Sequence, residues 1–134
     1  MGAWGTGIFE DDTALDIVQE AIDSTAADFL QQVIVTEDDE EYLEYDRAHQ
    51  IIIAGVILDA LLNDTVYEHN DEAFEQWLEQ QNRDSVNEFK PAVLAGLKIV
   101  LSGQSELNEL WQENNMEYPN WRANVENMIA RLEE

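Results

Sequence analysis

Between Ile51 and Leu62 the chain reads IIIAGVILDALL, twelve residues in which Asp59 is the single charged interruption. The helical pattern around this run extends from about Glu44 to Leu62. Ile51, Ile52, Val56, Leu58, Leu61 and Leu62 place apolar side chains on nearly every side of it. A helix that is apolar all round has no face to give to water, so it has to be buried. It is well short of the ~20 apolar residues that span a bilayer. The rest of the chain must therefore build a shell around it, and 134 residues is enough for one such core.

The flanking segments supply shell helices. Residues 13–34 read as one helix, with Leu15, Val18, Ile22, Phe29 and Val33 near helical spacing and Ala14, Ile17, Ala21 and Leu30 widening the stripe. Asp11, Asp12 or Thr13 suits its start. Val33, Ile34 and Val35 also fit an extended piece. Phe74, Trp77 and Leu78 mark a short helix that Asn70 can cap. Ser85–Glu88 has the capping-box pattern, and Pro91 either opens a helix at its first turn or kinks one already begun. Val93, Leu94, Leu97, Val100 and Leu101 form that helix's apolar face, and Gly103 is placed to end it. Ser105 caps a helix with Leu107, Leu110 and Trp111. Trp121, Val125, Met128, Ile129 and Leu132 define the last stripe, with Arg122 and Glu126 paired at i, i+4. The expected fold is all-α, a single compact helical domain over residues 1–134. It has five to six helices around the central apolar one.

Charge excludes more functions than any motif. Thirty acids face six bases, a formal net charge of −24, and residues 1–46 hold no Lys or Arg. Such a field repels nucleic acid and anionic membrane. A basic protein partner is compatible with it, and so is acidity that serves solubility alone. There is no Cys, which removes disulfides, thiolate chemistry and Cys-type zinc sites. No basic-then-apolar leader opens the chain, so a cytoplasmic protein is expected.

The richest acidic stretch, Glu37–Asp46, holds seven carboxylates in ten residues: Glu37, Asp38, Asp39, Glu40, Glu41, Glu44 and Asp46, laced with Tyr42 and Tyr45. Its spacing is not that of a calcium loop. It reads either as a solvated approach to the central helix or as a partner surface, with aromatic anchors and charge for steering. His49 and His69 are the only histidines. Asp46 and His49 stand at i, i+3, the spacing of a di-iron motif, but the second copy such sites need is missing. No cofactor or metal is implied, no nucleophile elbow is present, and nothing singles out a catalytic residue. Asp59 reads as an edge-exposed acid, or as a partly buried one reached by Lys90, Lys98, Arg122 or Arg131. The oligomeric state is left open by all of this.

The opening segment, MGAWGTGIFEDD, is unusual for a terminus. Gly2, Gly5 and Gly7 allow close backbone approach, while Trp4, Ile8 and Phe9 are suited to docking on the core. A phosphate cradle would want a preceding strand and a Lys, and acids here have the wrong sign. Met1, Gly2, Trp4, Gly5, Gly7, Phe9, Asp12, Ala14 and Asp16 resemble the start of the bacterial domain of unknown function 4259 family. Ser105, Glu106, Leu107, Leu110, Trp111, Trp121 and Arg122 resemble its ending, S-E-L-x-x-L-W followed by W-R. The resemblance implies a small helical protein and brings no catalytic residue with it. Two functional expectations follow. One is an acidic protein-binding domain, of inhibitor or immunity type, with a basic partner. The other is a small-molecule-binding or enzymatic domain with a pocket lined by Trp4, Trp111 and Trp121. If the opening segment docks on the core, Trp4→Ala should cost about 3 kcal/mol or more and lower Tm by roughly 10 °C. An unchanged melting curve refutes the docking.

Overall fold

A computed structural model of the protein describes residues 12–35, 43–65 and 72–133. Among these residues there are seven α-helices: α1 (Asp12–Ile22), α2 (Ala26–Val35), α3 (Tyr45–Asn63), α4 (Glu72–Glu79), α5 (Lys90–Val100), α6 (Glu106–Gln112) and α7 (Tyr118–Glu133). Two 3-10 turns, Arg83–Ser85 and Asn87–Phe89, lead into α5. The expected docking of Met1–Asp11 and the caps offered by Asp11 and Asn70 lie outside the described residues, as do Glu37–Tyr42 and His69.

The apolar run becomes α3, and every other α-helix packs against it. All of Ile51–Asp59 is buried, which is what a helix without a polar face requires. Each shell helix contributes one apolar stripe. Ala14, Ile17, Val18 and Ala21 do so for α1, and Trp121, Val125, Met128, Ile129 and Leu132 for α7. Two glycines set how closely the shell approaches. A Cβ on Gly55 of α3 would lie 2.6 Å from Met128 Sδ and 3.0 Å from Leu97 Cδ1, so the side chains that α7 and α5 place there occupy the space a larger residue would need. On the facing helix, a Cβ on Gly96 would meet Ile51 Cγ2 at 3.1 Å.

The segment expected as one helix over 13–34 is two, and this break accounts for the seventh helix. Trp77 Nε1 donates to the Ser24 carbonyl at 2.7 Å, and the Ala26 amide donates to Gln81 Oε1 at 2.8 Å. Both backbone groups are thereby taken out of a continuous helix. Thr25 Oγ1 accepts from the Asp28 amide at 3.1 Å, capping α2 from its own sequence. Val33–Val35 are the end of α2 rather than a strand.

Two smaller expectations are also corrected. Ser85 does not open a capping box. Asn82 instead accepts from the Asp84 amide at 2.9 Å, and Ser85 Oγ donates to the Asn82 carbonyl at 2.7 Å, winding the 3-10 turns. Pro91 then sits in the first turn of α5, where its missing N–H costs nothing. Gly103 does not close α5, which stops at Val100 with Leu101 as its C-cap, and no glycine among the described residues has positive φ. Gly55→Ala is expected to destabilise the fold by about 1–2 kcal/mol, because overpacking outweighs the helix-propensity gain. Gly103→Ala, with nothing within 4 Å of the new methyl, should leave denaturant midpoints unchanged or slightly raised.

Candidate functional site

Most residues of the C-terminal pattern meet in one cluster. Ser105 caps α6, accepting from the Asn108 amide at 3.2 Å. Asn108, buried on α6, donates to the Ser102 carbonyl at 3.1 Å and accepts from the Tyr118 hydroxyl at 2.8 Å. Arg122 donates to Tyr118 Oη at 2.9 Å and to the Leu101 carbonyl at 3.1 Å, and it pairs with Glu126 at 3.3 Å. Tyr118, and after it Glu126, raise the Arg122 guanidinium above its ordinary pKa against a modest desolvation. Its charge therefore persists wherever the protein is folded. Trp111 and Trp121 stack with centroids 5.8 Å apart and are 5% and 3% exposed. They fill the core. The Trp-lined pocket expected between them is not formed by the described residues, and Trp4 lies outside those residues.

The end of the acidic stretch is fastened to this cluster. The Leu43 amide donates to the Gln104 carbonyl at 2.7 Å, the Glu106 amide donates back to the Leu43 carbonyl at 2.9 Å, and the Tyr45 amide donates to Glu106 Oε1 at 2.8 Å. Glu44 and Asp46 are exposed, whereas the Tyr45 ring is half-buried, edge-on to His49 at 4.8 Å. His49 is buried while Asp46 faces water, so the i, i+3 pair does not converge. No group of three His, Asp or Glu side chains among the described residues is arranged to hold a metal ion. No described helix is long and apolar enough to cross a membrane.

A model of the family described as Domain of unknown function (DUF4259) matches residues 2–124. The chain belongs to this family. No curated protein and no solved structure matches it. In this DUF4259 protein the W-R ending is thus a structural staple joining α5, α6 and α7.

Asp59 is the acid that the sequence places least well. It is not edge-exposed. Its side chain is fully buried, with Oδ2 accepting from Arg131 Nε at 2.8 Å, and Oδ1 from Asn63 Nδ2 at 2.8 Å and Thr65 Oγ1 at 2.9 Å. Its carbonyl accepts the Asp64 amide, closing α3 with Asp64 in the left-handed conformation at φ 56°. Asn63 Nδ2 also reaches the Arg131 carbonyl at 3.2 Å, so α3 and α7 are tied at their C-terminal ends. Of the four bases within conceivable reach of Asp59, the fold selects Arg131.

Beside this node lies a groove of about 440 Å3 between the C-terminal end of α3 and α4. Leu61, Phe74 and Leu78 supply apolar lining, and Asp64, Glu75, Glu79 and Arg83 supply charge. Sequence reading did not anticipate it, because it exists only where α4 returns to the end of α3. The exposed acids of the shell are unevenly distributed. Asp12, Asp16 and Glu20 lie on a roughly 80° arc of α1, with Asp23 just beyond, and Glu72, Glu75 and Glu79 share one face of the neighbouring α4. Neither helix contains a Lys or Arg.

The Asp59–Arg131 pair is asymmetric. Arg131 is 38% exposed and can turn its head to water, while Asp59 cannot. Arg131→Met should cost about 2–4 kcal/mol, since it strands a buried carboxylate. Asp59→Asn should cost less. Chemical denaturation of the two variants checks the order.

Proposed function

We propose that this protein is a single acidic protein-binding domain over residues 1–134, of inhibitor or immunity type, which engages a basic protein partner. The observation that carries the reading is the placement of carboxylates on α1 and α4. Asp12, Glu72 and Glu75 sit in first turns, where the helix dipole favours them. Glu20, Asp23 and Glu79 sit at or just past C-terminal ends, where the dipole opposes them. Repeated acids at i, i+4 add a further penalty of about 0.2–0.5 kcal/mol per pair. Glu20, Asp23 and Glu79 gain nothing from the dipole, whereas a cationic partner would relieve their repulsion and be steered to it.

The protein's own bases do little to offset it. They lie on α3, α5, α7 and a 3-10 turn. Arg131 serves the buried Asp59, Arg122 the Tyr118 cluster, and Lys98 pairs with Glu133 at 3.0 Å. Arg47 donates to the Val33 carbonyl and to Gln50. The candidate partner surface at Glu37–Asp46 adds its charge to the same field, with Glu44 and Asp46 exposed at its described end. A small-molecule-binding or enzymatic domain has less support, because Trp111 and Trp121 are used as core.

The test is affinity capture at low salt, followed by purification of the captured protein and a binding titration against two forms of the bait. One is the native chain, and the other carries Asp12→Asn, Asp16→Asn, Glu20→Gln and Asp23→Asn. The expected partner is basic, and its affinity falls roughly tenfold or more as the Debye length contracts from about 8 Å to about 3 Å with added salt. The amide variant should bind correspondingly more weakly. Recovery of no partner, or equal binding by both baits, overturns the reading.

A further inference from the structure

Helix α5 is the exception to the charge of this protein. No Asp or Glu occurs from Phe89 to Ser105, the longest interval in the chain without one. Among the described α-helices α5 alone contains no carboxylate, and each of the others carries at least one exposed acid. The helix is not hidden. Val93, Gly96, Leu97 and Val100 face the core. Pro91, Ala95 and Ile99, at i, i+4 and i+8, stay exposed on a roughly 80° arc of the opposite side. Ile99 is 37% exposed, and only Met116 joins it as an exposed large hydrophobic among the described residues.

The flanks of this stripe are also quiet. On one side Lys98 pairs with Glu133 of α7 at 3.0 Å, so the carboxylate that α7 brings to this edge is already balanced. On the other side half-buried Ala92 shares a small crevice with Ile34 of α2, which continues the apolar surface. A basic protein is drawn instead to the acids of α1 and α4. What covers the stripe must bring apolar surface and must approach a chain of net charge −24 without adding carboxylates at the contact. A second copy of this chain brings such a face by construction.

We propose that the exposed face of α5 is the contact surface of a weak two-fold dimer of this protein. The inference does not depend on the basic partner. The two α5 helices run antiparallel, with Ala95 at the axis and Ile99 of each copy over Pro91 of the other, so one stripe serves both sides. The small Ala95 side chain lets the helices approach. The face matches itself in charge as well, because neither copy sets a carboxylate at the centre. Acids on every other described helix repel a second copy, and this selects the one register of approach that α5 leaves open. An eleven-residue helix is only about 16 Å long, so the contact belongs to the transient class rather than the obligate one.

The experiment is sedimentation velocity on the full chain at low and high salt. Two copies of charge −24 repel while the Debye length is about 30 Å, and much less when it is about 3 Å. The dimer is therefore expected to strengthen as salt rises, the opposite of binding to a basic protein. Ala95→Glu places two carboxylates at the axis and should weaken the dimer at least about tenfold. Met116→Glu, at the other exposed hydrophobic, should leave it unchanged, and both variants should keep the native melting curve. The chain has no Cys, so an engineered thiol can form a disulfide only with another copy. Under mild oxidation Ala95→Cys should cross-link faster than Met116→Cys, although Met116 is 86% exposed. A protein still monomeric at about 1 mM in high salt, the weak end of specific association, overturns the dimer. So does a dimer that weakens with salt, one that Ala95→Glu leaves intact, or faster cross-linking through Met116→Cys.

Discussion

A helix with no polar face dictates the rest of this structure. Because α3 is buried along nearly its whole length, six helices have to surround it, and each needs one apolar stripe. Gly55 and Gly96 leave room for the side chains that meet in the shell, Met128 and Leu97 over Gly55 and Ile51 over Gly96. The same burial makes Asp59 a problem that the fold must solve. An isolated carboxylate at this depth would cost far more than one hydrogen bond returns. Arg131, Asn63 and Thr65 together satisfy its oxygens, and in doing so they fix the C-terminal end of α3 against α7.

The positions of the charges follow from that closure. Bases are scarce, and four of the six donate to acceptors within the fold: Arg131 to Asp59, Arg122 to Tyr118 and Leu101, Arg47 to the Val33 carbonyl and Arg83 to the Leu62 carbonyl. Among the described acids Asp59 alone is buried. α4 joins the two regimes within eight residues. Phe74 and Trp77 face the core, with Trp77 and Gln81 pinning the corner between α1 and α2, while Glu72, Glu75 and Glu79 face out. The groove sits at this junction, between the C-terminal end of α3 and α4.

Periodicity made some elements legible in advance. The α7 stripe from Trp121 to Leu132, the Ser105 cap and the start of α5 at Pro91 can all be read from residue type and spacing, because local backbone chemistry decides them. The break at Ser24–Thr25 is different. Thr25 and Asp28 offer a cap, but an unbroken apolar stripe ran across it, and the decision came from Trp77 and Gln81, more than fifty residues away. The 3-10 turns at 83–89 went against a local capping pattern for a similar reason, since Asn82 took the backbone groups first. Asn108 and Tyr118 gave only a weak signal, a polar residue on the face of α6 that also carries Leu107 and Trp111. As for the site, the excess of acid is plain in composition, whereas the groove is visible in no stretch of sequence.

Composition and apolar spacing were enough to determine an all-helical chain built round residues 51–62, carrying a strong negative field. These properties depend on neighbours three or four positions apart and on a sum of charges, and both are present in any linear reading. Only the tertiary structure decided that Asp59 would be buried, that Arg131 would be its partner, that Trp111 and Trp121 would stack as core, and that Glu75 and Glu79 would border an apolar groove. Each of these depends on which distant surfaces meet, and that is settled by how the six other described helices share the burial of α3.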